Sequence, residues 1–235
     1  MTIALWCCLQ AFEDERFLFR VNGGAFGRAS FPVGNVEDVD VTNAGDVIFL
    51  GEKLRYVDLF DPGLGLSLEL DVALGGGSRP GAPLHARTPL FGAYGALQLD
   101  RFDGDGDRDR NGNTIRPDDL RLTSAVGGLK VAGTVHERHF GELRLGAGAT
   151  RYEEVEARFT STSGVTVEGE LFAASTAFLL EFRLRYGYRL GPLAFVVGMG
   201  IRANLGPEEG DGAGRSIEPG PLWLPELELG LQLGF

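Results

Sequence analysis

Cysteine is scarce in this sequence of 235 residues, which contains only Cys7 and Cys8. Adjacent cysteines rarely pair, because a disulfide needs a separation and an orientation that neighbouring residues do not provide. The sequence therefore predicts that no disulfide framework holds the fold. Its stability must come from packing and from backbone hydrogen bonds.

Long hydrophobic runs are also missing. No stretch of 18 or more apolar residues occurs, so the sequence predicts no transmembrane helix. The short apolar run 3–9 is followed by Gln10 and Ala11, which is typical of the end of a secretory signal peptide cleaved after Ala11. Residues 1–15 are accordingly assigned to a signal-peptide remnant or an N-terminal arm, and residues 16–235 to one domain.

Basic residues are too few for a nucleic-acid-binding protein. The 22 Lys and Arg face 33 Asp and Glu, which leaves a net charge of -11, and no basic patch offsets it. Glycine, in contrast, is abundant at 36 residues, about twice its average share. Its lack of a three-residue period excludes collagen, and the plentiful aromatic and branched residues exclude a disordered chain.

Catalytic motifs are absent as well. The sequence has no Gly-x-Ser-x-Gly nucleophile motif and no glycine-rich phosphate loop before a helix. The three histidines, His85, His136 and His139, fall in predicted short turns without the further ligands that a zinc site needs. We expect no enzyme, and a lipid-modifying activity is the third-ranked interpretation.

The pattern that is present repeats every two residues. Between Gly63 and Leu74 every even position is leucine or valine, and the odd positions are small or polar, as in a strand with one apolar face. The segment 118–135 changes phase, which a β-bulge at Gly127–Gly128 would correct. The pattern predicts eight strands of about 12 to 16 residues. Each strand is long enough to cross a bilayer in a tilted orientation. The other six segments are 17–30, 89–102, 142–156, 175–189, 193–204 and 222–235.

The connections between these strands alternate in length. The connections 136–141 and 190–192 are short and 75–88 is intermediate, whereas the other four are long. All long loops then fall on one end, so the sequence predicts an all-β fold, a single antiparallel up-and-down transmembrane β-barrel. Its loops are expected to face the outside of the cell. The long connections are 31–62, 103–117, 157–174 and 205–221.

A soluble barrel of lipocalin type would place the same apolar face inside. Two features favour the membrane barrel: the polar face is rich in glycine and opposed charges, which suits a narrow interior, and aromatic residues gather at both strand ends, as in the girdles of membrane barrels. The predicted girdle of the short-turn end is Phe17, Phe19, Phe91, Tyr186, Tyr188, Phe195 and Phe235, and that of the long-loop end is Phe31, Phe159, Phe178 and Trp223.

The end of the sequence supports this interpretation. Residues 226–235 alternate perfectly and finish on Phe235, with Leu229, Leu231 and Leu233 on the apolar side. In this, and in its eight strands, the chain resembles the small eight-stranded outer-membrane proteins of Gram-negative bacteria, such as the transmembrane domain of outer membrane protein A. The resemblance implies an outer-membrane location, with the lipid bilayer and lipopolysaccharide as surroundings. It also implies that these four residues form the assembly signal read by the barrel-assembly machinery.

The inward face of the predicted barrel carries charges of both signs. An eight-stranded barrel is narrow enough for side chains to fill it, so these charges are expected to pair in a sealing network, or less favourably to line a conduction path. Arg20 is expected to face Glu226 or Glu228, where the barrel closes. The predicted interior charges are Arg20, Glu69, Asp71, Asp100, Arg121, Arg144, Glu154, Glu181, Arg183, Arg185, Arg202, Glu226 and Glu228.

The loop after the third strand has the spacing of a calcium-binding loop. Counted from Asp107, oxygen-bearing side chains stand at positions 1, 3, 5 and 12, and Gly112 stands at position 6, as in an EF-hand loop. Position 12 is aspartate instead of glutamate, and Arg108 and Arg110 reduce the negative charge. Weak calcium binding and a merely solvated acidic loop both remain open. The candidate ligands are Asp107, Asp109, Asn111, Asn113 and Asp118.

Taken together, these patterns predict an integral outer-membrane barrel with a structural or surface-interaction role carried by its four long loops. The second interpretation is a narrow, porin-like channel for ions or small solutes. The sequence contains no motif that identifies a surface ligand.

Overall fold

The computed structural model describes residues 18–36, 39–43, 46–51, 54–75, 90–136, 138–209, 215–216 and 219–234. No helix in these ranges is long and apolar enough to cross a membrane. The elements, in chain order, are β1 (Leu18–Ser30), β2 (Val39–Asn43), β3 (Asp46–Gly51), α1 (Tyr56–Leu59), β4 (Gly63–Gly75), β5 (Leu90–Phe102), β6 (Asp107–Arg108), β7 (Thr114–Pro117), β8 (Leu120–His136), β9 (His139–Tyr152), β10 (Val155–Thr160), β11 (Thr166–Ala173), β12 (Ser175–Leu190), β13 (Leu193–Asn204), β14 (Glu208–Glu209), β15 (Arg215–Ser216) and β16 (Leu222–Gly234).

The eight long strands form one closed antiparallel barrel in the order β1-β16-β13-β12-β9-β8-β5-β4. The first and last strands close it, with Ala25 opposite Leu231 and Arg28 opposite Glu228. Closure leaves no free sheet edge among these strands, which satisfies every strand's backbone without water. The predicted all-β barrel is therefore confirmed.

The outward face of the barrel is aliphatic. Leu68, Leu129 and Leu229 are 56%, 70% and 67% exposed, although such residues are usually buried in soluble proteins. Exposed aromatic residues border this belt, with Phe91, Tyr186 and Phe195 near the short-turn end and Phe31, Phe178 and Trp223 near the long-loop end. Phe17 and Phe235, and the segment 1–15, lie outside the described residues.

The predicted β-bulge at Gly127–Gly128 is wrong. Strand β8 pairs with β5 in continuous register, with Gly127 opposite Gly95. Its inward positions simply change character along the strand, from the buried Leu120 and Leu122 to the buried Lys130. The change of phase in the sequence thus marks an apolar section of the barrel interior.

The four long connections fold into a second structure at one end of the barrel. They form a five-stranded sheet in the order β14-β11-β10-β7-β6 and a three-stranded sheet in the order β15-β2-β3. Residues from the first three connections and from the adjoining strand ends share one apolar core, and the fourth connection joins the sheets through β14 and β15. We call these sheets with their core the cap. Phe159, predicted in the outer girdle, is completely buried in it, because β10 belongs to the cap. The cap core is Val36, Val39, Val41, Ile48, Phe49, Leu54, Tyr56, Leu59, Phe60, Phe102, Ile115, Leu120, Leu122, Tyr152, Val155, Ala157, Phe159, Leu171, Phe172, Leu222 and Leu224.

Candidate functional site

The barrel interior is crowded, and glycine makes the crowding feasible. A side-chain carbon added at Gly146 would collide with the hydroxyl of Tyr94, and one added at Gly187 would collide with the ring of Phe140. Both aromatic rings are buried inside the barrel. These inward glycines therefore provide space for large side chains that extend across them from nearby strands, since Phe140 lies opposite Gly187 and Tyr94 lies two strands from Gly146.

Buried ion pairs fill the middle of the barrel, and we call them the interior charge network. Near the short-turn end, Asp71 binds Lys130 and lies 3.2 Å from Arg144, which also reaches Glu69 at 2.6 Å. Glu228 binds Arg185 in the same layer. The network consists of the acidic residues Glu69, Asp71, Asp100, Glu142, Glu181, Glu226 and Glu228 and the basic residues Arg28, Lys130, Arg144, Arg183, Arg185 and Arg202.

Arg183 joins the two halves of this network. Its guanidinium lies 2.6 Å from Glu181, 2.8 Å from Glu228, 3.0 Å from Glu226 and 3.3 Å from Glu69. The side chain is 1% exposed, so no water screens these interactions as it would at the surface. Arg183 is therefore the cation on which most carboxylates of the network depend.

The other half lies toward the long loops. Asp100 accepts hydrogen bonds from Arg28 at 2.8 Å and from Arg202 at 2.7 Å. Arg202 also lies 2.7 Å from Glu226. A neutral layer follows, in which Thr150 donates to Asn204 at 2.7 Å. Beyond that layer the cap core begins.

The structure brings together the predicted interior residues Glu69, Asp71, Arg144, Glu181, Arg183, Arg185, Arg202, Glu226 and Glu228, which are all buried. Arg20 does not face Glu226 or Glu228, because it lies opposite Ala73 near the short-turn end. The register places Arg28 opposite Glu228 instead.

Three members of the network were missed by the sequence analysis, namely Arg28, Lys130 and Glu142. The predicted bulge placed Lys130 on the wrong side of β8. Glu142 was missed because it borders the predicted turn 136–141, whereas β9 already begins at His139. Arg121 and Glu154, predicted inside, are exposed at the long-loop end. Arg121 points outward because its neighbours Leu120 and Leu122 occupy the cap core.

At the short-turn end the interior opens into a recess of about 220 Å³. Arg20 and Arg189 line it, together with Asn22 and Gln232. Asn22 and Gln232 both donate hydrogen bonds to Asp71, at 2.6 Å and 3.0 Å. The recess therefore reaches the first layer of the interior charge network.

These observations identify the architecture. A closed antiparallel barrel with an aliphatic outer belt, aromatic borders, a charged interior and long loops at one end is the architecture of bacterial outer-membrane proteins. The protein has the fold of an outer-membrane barrel. We expect lipid to surround its belt.

Replacing Leu229 with Arg should therefore cost about 2–4 kcal/mol of folding free energy in a bilayer, because the charge would face hydrocarbon. Leu229 lies mid-strand, opposite Val197 and Gly27. Urea titrations of folding into vesicles measure the change. Leu205→Arg is the matched control, because exposed Leu205 follows the end of β13 and a charge near the interface costs about 0–1 kcal/mol. Equal stability of both variants would contradict the lipid assignment of the belt.

The predicted calcium ligands do not all meet. Asp109 accepts hydrogen bonds from the backbone amides of Asn111 and Asn113, both at 2.8 Å, and from the Asn113 side chain at 2.7 Å. Asp107 accepts a bond from the amide of Arg108. Asp118, however, lies beyond β7, where its amide bonds to Glu156.

Strand β7 therefore separates the twelfth position from the rest of the loop. No group of three or more His, Cys, Asp or Glu side chains in the described ranges is arranged to hold a metal ion. Asn113 instead joins two loops, since its side-chain oxygen accepts a hydrogen bond from the amide of Thr162 at 2.8 Å. Calcium binding by this segment stays a prediction.

The order of this loop should depend on pH through Asp109. Burial disfavours its ionised form, but hydrogen bonds from Asn113, Leu50 and Asn111 outweigh that effect and lower the pKa of Asp109. A carboxyl with a lowered pKa in the folded state stabilises that state above its unfolded pKa of about 3.9, and the contribution is lost as pH falls through the folded value.

We therefore expect the amides of Asn111 and Asn113 to lose protection from hydrogen exchange as the pH falls below about 3.9, after correction for intrinsic exchange. The Asp109→Asn variant removes the titration while keeping an acceptor oxygen, so its protection should not change with pH in this range. Identical profiles for the two proteins would refute the assignment to Asp109.

The described histidines pack with tyrosines at the short-turn end. The Nδ1 atom of His139 lies 2.6 Å from the hydroxyl of Tyr186, and the rings of His136 and His139 are 6.0 Å apart. His85 lies outside the described residues. This cluster belongs to the aromatic border of the membrane.

Several solved structures are similar to this barrel. They include the attachment invasion locus protein Ail of Yersinia pestis in complex with the heparin analogue sucrose octasulfate, at 14% identity over 92% of this chain and 99% of that chain, with a TM-score of 0.40. Neisserial surface protein A is 12% identical over 92% and 97%, with a TM-score of 0.39. The outer membrane protease OmpT of Escherichia coli is 10% identical over 95% and 98%, with a TM-score of 0.40. No protein-family model matches the chain, and no curated protein sequence matches it.

Proposed function

We propose that this protein is a closed outer-membrane anchor that presents a folded binding surface, the cap, outside the cell. The observation that carries the proposal is the single apolar core shared by three of the four long connections, to whose sheets the fourth connection adds β14 and β15. Loops that only linked strands would have no need of such a core. A rigid, preorganised surface loses little conformational entropy on binding, which favours recognition of another molecule.

Contacts between the connections support a rigid cap. Phe49 on β3 packs against Phe159 on β10, with ring centroids 5.8 Å apart. Phe172 on β11 packs against Tyr56 at 6.0 Å and Phe60 at 6.3 Å. The loops thus hold one another in place through side chains that are remote in the sequence.

Two barriers in series support a closed lumen. The interior charge network fills the barrel from Asp71 to Asp100, and the cap core covers it toward the long loops. An ion that crossed the barrel would have to break buried pairs and then pass through an apolar layer. Both steps are expensive in a medium of low dielectric constant.

Planar-bilayer recordings test the closed lumen. The purified full-length protein should give no discrete openings, while a general porin in the same bilayer verifies that barrels insert. Reproducible unitary steps from the parent protein would instead support the second interpretation, a narrow channel.

Cysteine labelling on intact cells tests which end faces outward. In a background with Cys7 and Cys8 replaced by serine, Ser163→Cys should react with a membrane-impermeant maleimide, because Ser163 is exposed at the tip between β10 and β11. Arg138→Cys, in the turn between β8 and β9, should react only after the cells are broken. The opposite pattern would place the cap in the periplasm and overturn the proposal.

A further inference from the structure

The outward border at the long-loop end differs between the two sides of the barrel. On β12 and β16, and just after β1, it consists of the exposed aromatic residues Phe178, Trp223 and Phe31. On β5, β8 and β9 the outward residues near the long-loop end are Arg101, Arg121 and Arg151. We call these three residues the arginine face.

Each strand of the arginine face has the same order of side chains from the lipid belt outward. Because residues two apart on a strand lie on the same side, an apolar residue or threonine is followed by arginine and then by a carboxylate. The three series are Leu99 and Arg101 on β5 with Asp103 just after it, Thr123 and Arg121 on β8 with Asp119 just before it, and Ala149 and Arg151 on β9 with Glu153 just after it.

Two arginines of this face lie next to each other, although their positive charges repel. Arg101 lies directly opposite Arg121 in the register of β5 and β8, and like charges in that position destabilise a sheet. Exposed carboxylates offset part of the repulsion. Arg101 lies 2.7 Å from Asp119 and 3.3 Å from Asp103, and Arg121 lies 4.0 Å from Asp119 and 3.9 Å from Glu153. Arg151 has no ion-pair partner among the described residues.

A shallow groove of about 410 Å³ lies on the outer wall beside Arg101 and Arg121. Leu64, Leu66 and Leu99 line its apolar part, and Arg101, Arg121 and Glu153 line its polar part. A groove with an apolar part beside two arginines matches a molecule with an acyl chain and an anionic head. A soluble anion would make no use of the groove.

We propose that the arginine face binds an anionic lipid of the outer leaflet through its phosphate group. Guanidinium groups bind phosphate oxygens in paired, charge-assisted hydrogen bonds. The phosphate would lie at the level of the arginines, its acyl chain would occupy the groove, and the carboxylates farther out would face the polar part of the lipid. This inference needs the barrel in a membrane and is independent of the role of the cap.

Native mass spectrometry of the full-length protein with added lipid A tests the proposal. The parent should retain lipid A, and the triple variant Arg101→Gln, Arg121→Gln and Arg151→Gln should bind it at least about tenfold more weakly. The control variant Arg108→Gln, Arg116→Gln and Arg158→Gln removes the same charge from exposed positions of the cap sheet, and should bind as the parent does.

Further arms separate the remaining outcomes. Arg151 pairs with no carboxylate among the described residues, so the single variant Arg151→Gln should fold as the parent does. It should nevertheless bind lipid A several-fold more weakly than the parent. Circular dichroism and heat-dependent gel mobility verify the barrel in every variant.

Equal binding of lipid A by the parent, the triple variant and the control would overturn the proposal. An equal loss of binding in the triple variant and the control would also overturn it. Displacement of lipid A by millimolar inorganic phosphate would assign the face to soluble anions and overturn the lipid assignment. The closed lumen is tested by conductance in bilayer recordings, so failure of the lipid proposal and failure of the proposed function can be told apart.

Discussion

Replacement of Arg183 by Met should destabilise the barrel by about 3–5 kcal/mol, the usual cost of removing one partner from a buried ion pair. Arg183 lies within 3.3 Å of four carboxylates, from Glu69, Glu181, Glu226 and Glu228. Without it these carboxylates keep their repulsion and lose their shared cation. Methionine keeps much of the apolar volume of the side chain, so the loss reports charge more than packing.

Urea unfolding of the protein in lipid vesicles measures this effect. The matched control is Arg158→Met on the cap sheet, where the ion pair with Glu168 is solvent-exposed and is worth about 0–1 kcal/mol. A second variant, Arg183→Met with Glu228→Gln, should recover part of the lost stability because it removes one unpaired carboxylate. If Arg183→Met and Arg158→Met were equally stable, the interior charge network would contribute little to folding.

The outer face of the barrel could be predicted from the sequence because lipid imposes a strict local rule. Every outward residue between Leu64 and Leu74 must be apolar whatever surrounds it, so alternation alone identifies the strand. The same rule located all eight barrel strands to within a few residues of their bounds.

The pairing inside the barrel follows a different rule, because it depends on register. Arg20 and Arg28 have the same parity on β1, and only the alignment of β1 with β16 decides which of them lies opposite Glu228. A sequence pattern cannot supply that alignment. It therefore indicated inward charge correctly and misidentified the arginine at the closure.

The cap could not be predicted, because its strands are short and its contacts are distant. Strands β6, β14 and β15 have two residues each, too few for any period to be visible. Its core also takes Leu120 and Leu122 from the inner side of β8. Their apolar character led the sequence analysis to place them on the lipid side and to introduce the bulge.

The second large effect is expected in the cap. Phe172→Ala should cost about 3–5 kcal/mol of local stability, the range for removal of a buried phenylalanine side chain. Phe172 is completely buried and contacts the rings of Tyr56 and Phe60, so its loss leaves a cavity between β11 and the connection that follows β1. Hydrogen exchange across β10 and β11 measures the loss, and the strands of the barrel should keep their protection.

The matched control is Phe178→Ala, which removes the same side chain from the outer face of β12, where it is 50% exposed in the structure. That change should leave exchange in the cap unaltered, because Phe178 faces the membrane border and not the cap core. Since most of the cap core lies in the connections, and only the ends of barrel strands reach into it, we expect the cap to open while the rest of the barrel stays folded. An equal loss of protection in cap and barrel after Phe172→Ala would mean that the two unfold together, and the cap would then be part of the barrel's stability and not a separately folded surface.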